Sequence, residues 1–207
     1  MKIRDSIKSH FTLFLLGDLA GIICRLTDFF PYESLWSLPS IATLFGFWIA
    51  SIGMITYCSA SNRGAFLNSF LYLLGMTASF YGLKYILGFF VERFSGEFPT
   101  MLFLAYSVMS LVCGIGSGIL YFWNKETPFG SVLCALPPSG MLAEAIGCLL
   151  VLLKRRMLLG QTIFDFVFAA VFGILLYRKA NCKILYFVTL TLVTALVFCV
   201  IYRPFLL

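Results

Sequence analysis

The chain has 207 residues, of which 61% are hydrophobic and only 12% charged, with a net charge of +6. Soluble domains carry about a quarter charged residues, so a water-soluble globule is excluded, and no nucleic-acid partner is expected. Long uninterrupted apolar runs, in place of strands of about ten residues with alternating polarity, exclude a β-barrel and predict an all-α, polytopic transmembrane helix bundle.

Crossing a bilayer takes about 20 apolar residues. By that measure seven segments qualify, and helices are expected near 11–30, 38–59, 65–90, 99–123, 129–153, 157–177 and 184–203 in a single transmembrane domain. Four runs are free of charge: Ser34–Asn62, Gly64–Leu83, Phe98–Asn124 and Ile184–Tyr202. These read as plain spans.

The first segment follows a tail bearing Lys2, Arg4 and Lys8. Basic residues beside the first helix stay in the cytoplasm, so the amino terminus is expected inside. Asp18 interrupts the apolar stretch and no small-residue cleavage site follows, so this helix is expected to be retained. It carries Asp18, Arg25 and Asp28. Arg25 and Asp28, three apart, are helical neighbours. Asp18 lies about 10 Å further along the axis at 1.5 Å per residue and calls for a partner from another helix, with Lys84 of the third segment or Arg25 as the available cations.

Small residues recur at four-residue spacing: Gly17 and Gly21 in the first segment, Gly46 and Ala50 in the second, Gly75 and Ser79 in the third, Ser110, Gly114 and Gly118 in the fourth. Such faces let helices approach closely in lipid. They are expected to serve internal packing, with a homo-oligomer face or a groove for another membrane protein as the alternative. Gly114 to Gly118 lies inside a span, not between a strand and a helix, and so is no phosphate cradle.

The fifth segment holds Pro137-Pro138. Two adjacent prolines remove two backbone donors and disfavour helix before them, so a broken or re-entrant element at 129–153 competes with a full span, giving six spans in place of seven. Glu144 follows on a face shared with Gly140 and Gly147. In the sixth segment, Gln161, Asp165, Ala169 and Gly173 form a polar or small stripe that should face other helices. Basic clusters, Lys154-Arg155-Arg156 and Arg178-Lys179 with Lys183, flank that segment, so one of them must face outward if it spans.

Charges at bilayer depth cost roughly 2.5–3.5 kcal/mol each, which makes Asp18, Arg25, Asp28, Lys84, Glu144 and Asp165 the candidate substrate or ion pathway. The competing readings are internal salt bridges that fix helix register, and intramembrane catalysis. Aspartyl proteases of the membrane share a Gly-x-Gly-Asp type of motif, from which Gly17-Asp18 departs with Leu16 before it. No catalytic residue is assigned and no enzyme is expected. The seven cysteines include no CxxC pair and His10 is the single histidine, so neither a metal nor a cofactor is expected.

Gly17-Asp18-Leu19-Ala20-Gly21 with Arg25-Leu26-x-Asp28, Leu35-Trp36-Ser37-Leu38, Ser61-Asn62-Arg63-Gly64-Ala65, and Leu136-Pro137-Pro138-Ser139-Gly140 leading to Glu144 resemble a family of small bacterial multi-pass membrane proteins. The resemblance implies fold and a bacterial plasma membrane location, and no activity. In size the chain is also similar to the substrate-binding membrane subunits of vitamin transporters, whose first helix meets a scaffold protein through small residues as Gly17 and Gly21 could. The seven apolar segments and the charged first helix depart from that pattern.

The reading is a transport-type protein, a permease or the membrane subunit of one, with a polar site among the first, third and broken fifth helices. The rival is an accessory or regulatory membrane protein. Convergence of the six charged side chains distinguishes them, because charges paired off without a cavity would speak for the rival.

Overall fold

The computed structural model describes residues 2–206. Its helices, in chain order, are α1 (Ile7–Thr27), α2 (Phe45–Cys58), preceded by a helical turn at Ser40–Thr43, α3 (Asn62–Leu87), α4 (Thr100–Leu120), α5 (Pro128–Arg155), α6 (Leu159–Lys179) and α7 (Lys183–Val197). The last continues through a π-helical turn, Phe198–Tyr202, into Arg203–Leu206. Among the described residues, six of these helices are long and apolar enough to cross a membrane, α2 is a shorter apolar helix, and no strand is present beyond one isolated bridge. The chain is thus an all-α multi-pass membrane protein.

The helices fall into two compact units: Met1–Thr27 with Met54–Tyr121, and Asp28–Gly53 with Phe122–Leu207. In the first, α3 packs against both α1 and α4. Ser61 starts α3 by accepting the Gly64 N–H at 2.9 Å and donates its hydroxyl to Asp5 at 2.5 Å. The Ile3 N–H reaches the Cys58 carbonyl at 2.6 Å, so α1 and α3 begin side by side. They then run in the same direction: a Cβ on Gly17 would overlap the Tyr72 carbonyl, and one on Gly21 the Met76 carbonyl. Near the far end, the Arg25 Nε–H donates to the Phe80 carbonyl at 3.1 Å.

That parallel register has a topological consequence. α1 ends at Thr27, level with Phe80, whereas the chain re-enters the unit beside Cys58 and Ser61, at the opposite end. Between α1 and α3 the chain forms α2, a helix of only 14 residues. At 1.5 Å per residue that is about 21 Å, short of the roughly 30 Å hydrocarbon core.

The helix break thus falls in the second apolar segment, which the sequence reads as a plain span over 38–59. The proline pair, expected as the break, lies inside a continuous α5 of 28 residues. Just after the proline pair, side-chain hydrogen bonds tie α5 to its own preceding turn and to α7. Ser139 Oγ donates to the Ala135 carbonyl at 2.6 Å and approaches the Leu190 carbonyl of α7 at 3.3 Å, while the Ser139 carbonyl accepts from Thr194. No re-entrant element forms at 129–153.

The second unit is built around α5, which packs against α6 and α7. Over its most apolar window α5 is 56% buried, the largest share among the six long helices, so it is the core helix of its unit. Arg156 and Leu158, both with positive φ, turn α5 into α6. At the end of α7, Tyr202 brings its ring back into the unit, 2% exposed.

Candidate buried acidic site

The site is assembled at the start of α2. In an unbroken helix the Phe45 and Gly46 N–H groups would bond the carbonyls of Ile41 and Ala42. Here the Glu144 carboxylate of α5 takes both: Phe45 N–H donates to Oε2 at 3.0 Å and Gly46 N–H to Oε1 at 2.8 Å. The chain breaks at Leu44, which is extended (φ −88, ψ 162) and buried against Cys148, Val151 and Leu158. The freed Ala42 carbonyl accepts the indole N–H of Trp48 at 3.2 Å. Glu144 thus caps a helix that begins within the protein, eleven residues before the end of α5, or about 16 Å along its axis. At such depth no water is on hand for orphan backbone donors. A carboxylate also complements the positive end of the helix dipole.

Two more donors complete Glu144. Gln161 Nε2 of α6 donates to Oε1 at 2.8 Å, and the Tyr202 hydroxyl donates to Oε2 at 2.5 Å. The second hydrogen of Gln161 Nε2 goes to Asp165 Oδ1, also at 2.8 Å. Glu144, Gln161 and Asp165 are all 0% exposed. Gly46 makes their convergence sterically possible: a Cβ there would overlap Asp165 Oδ1 and lie 2.7 Å from Gln161 Nε2 and 2.8 Å from Glu144 Oε1.

The donors run out before the acceptors do. Among the described residues, Asp165 Oδ2 and Gln161 Oε1 are buried with no hydrogen-bond partner. Turning the Gln161 amide over would not help, since its oxygen would then face two carboxylate oxygens. The arrangement therefore holds one saturated acid and one with an open oxygen.

Of the sequence candidates, the structure joins Glu144 and Asp165 through Gln161. It places Asp18, Arg25 and Lys84 in the first unit. Arg25, 7% exposed, donates to the Phe80 carbonyl and stacks its guanidinium 3.6 Å from the Phe80 ring centroid. Asp18 is half-buried on α1, with its backbone carbonyl accepting Ser79 Oγ at 2.7 Å. Lys84 is half-buried in the last turn of α3, and Asp28 lies just past the end of α1. The groups that meet around Glu144 and Asp165 within the second unit come from the second, fifth, sixth and seventh segments.

Tyr202 and the backbone of Phe45 and Gly46 were not legible as site groups. Tyr202 enters the sequence reading only as the end of the charge-free run Ile184–Tyr202. Gln161 was visible on its stripe with Asp165, and its amide is what bridges the two acids. Gly17, Gly21 and Gly114 sit in close helix contacts within the first unit, Gly114 with Phe70 Cβ 2.9 Å from where its own Cβ would be. Gly118 makes ordinary contact and accepts from Asn62 Nδ2 through its carbonyl at 3.0 Å.

No group of three or more His, Cys, Asp or Glu that could hold a metal occurs among the described residues. No protein-family model, no curated protein and no solved structure matches the chain.

Proposed function

We propose that this chain is a transport-type membrane protein, a permease or the membrane subunit of one, whose polar site is the Glu144–Gln161–Asp165 cluster at the start of α2. One observation carries the reading: two buried acids meet at the amino end of a helix that begins at depth, and one of them keeps an oxygen without a partner. Discontinuous helices with charged groups at their broken ends are how transporters build midplane sites. Ionisable residues at bilayer depth are costly and are by default candidates for a functional site. The rival accessory role draws on the small-residue faces and on the fact that only two of the six charged side chains, Glu144 and Asp165, are joined through Gln161; it is weakened because Gly17, Gly21 and Gly114 already make close contacts inside their own unit. We place the protein in the plasma membrane with its amino terminus in the cytoplasm, where Lys2, Arg4 and Lys8 favour it.

Solute-induced charge movement in proteoliposomes on a solid-supported membrane tests this, with a panel of small anionic, cationic and zwitterionic solutes. At least one class should give a transient current that Asp165→Asn reduces at least tenfold at equal protein density. Absence of any current above empty liposomes, or a current that survives both Asp165→Asn and Glu144→Gln, would reject the transport reading and make the acids scaffolding.

A further inference from the structure

We infer that Asp165 is a reversible proton-binding site and that Glu144 beside it is the acid whose acceptor positions are already filled. The assignment deepens the transport reading by naming the ion that would couple to it, and proton binding itself can be tested without transport.

The argument is a count of donors. A carboxylate offers about four acceptor positions. Those of Glu144 are filled by two backbone N–H groups, one amide N–H and one phenol O–H. A proton on either Glu144 oxygen would meet a donor already in place, and it would strip the start of α2 of its counter-charge. Asp165 differs: Oδ1 accepts one amide N–H, and Oδ2 accepts nothing among the described residues. A proton arriving at Oδ2 forms an O–H bond, neutralises the carboxylate and displaces no existing hydrogen bond. Its loss restores the charge at a position enclosed by protein. The other buried oxygen without a donor, Gln161 Oε1, belongs to the residue that already bridges the acids, so the cluster lacks donors and has no surplus of them.

The surroundings favour a proton over a metal ion. Oxygen-liganded cations take about six oxygens, and the cluster leaves only two acceptors open. The titratable groups facing Asp165 are Glu144 and Cys148 of α5 and Tyr202 after α7. On its own helix the neighbour is Gln161, and α2 contributes only the Gly46 backbone. No Lys or Arg side chain hydrogen-bonds either acid among the described residues. The charge of Glu144 is met by dipoles, which leaves the second acid free to change state.

Infrared difference spectroscopy on the full-length chain in lipid nanodiscs, stepped through pH, reads the protonated carboxyl C=O stretch directly. One titrating band is expected. It should shift when aspartate is supplied as the 13C-carboxyl isotopologue, stay in place when glutamate is labelled instead, and disappear in Asp165→Asn. Tyr202→Phe should keep the band and move its frequency. Isotope labelling leaves the sequence untouched, so the assignment stands even where a substitution fails to fold. A band that follows labelled glutamate, survives Asp165→Asn, or never titrates would overturn the assignment. A silent solute panel with a titrating Asp165 band would reject transport alone, and solute currents without that band would reject the proton site alone.

Discussion

The two units bury polar side chains under opposite accounting. Around α3 the hydroxyls and amides close on one another: Ser117 Oγ sits 2.6 Å from Thr56 Oγ1, accepts from Ser69 at 2.7 Å and donates to the Ala65 carbonyl at 3.0 Å. Asn68 joins His10 at 2.7 Å to Ser59 at 3.1 Å. Around α5 the groups do not close. The three buried side-chain polar atoms without a partner among the described residues, Trp123 Nε1, Gln161 Oε1 and Asp165 Oδ2, all belong to the second unit. Satisfied networks give register and rigidity, whereas orphaned buried atoms are costly to keep. Under the proposed function the first unit would serve as a scaffold and the second as the working part.

Removing the helix cap should do the most damage. Glu144→Ala strands two backbone donors, an amide and a phenol, and is expected to cost about 3–5 kcal/mol of stability, read as loss of the folded fraction in graded denaturant in mixed micelles. A loss under 1 kcal/mol would mean that Glu144 does not hold α2. Gly46→Ala comes next, at about 1–3 kcal/mol for forcing a methyl into the space of the two acids. It should lower the melting temperature and disturb the Asp165 infrared band together, and an unchanged band would place the carboxylates further from α2.

In the first unit, Ser117→Ala removes the centre of a closed hydroxyl network and should cost about 1–2 kcal/mol, with solute currents normalised to folded protein left unchanged. A selective loss of current would erase the contrast between scaffold and working part. The smallest effect on stability is expected from Asp165→Asn. Its Oδ2 loses no partner, so the change should stay within about 1 kcal/mol, even as the current falls. Destabilisation as large as that of Glu144→Ala would show the two acids to be equivalent.

The sequence carried the helix class, the seven apolar segments and the two acids that meet, because composition, run length and the cost of charge in lipid are local properties. The stripe of Gln161 and Asp165 was readable at helical spacing for the same reason. What it could not carry was the place of the break. Pro137 and Pro138 carry the local signal for one, yet that helix runs unbroken from Pro128 to Arg155. The charge-free second segment has no strong local breaker at Leu44, and it is split by a carboxylate 98 and 99 residues away that captures the Gly46 and Phe45 N–H groups. Which backbone donor goes to a distant acid is a competition between a local carbonyl and a tertiary one. Only the folded structure decides it.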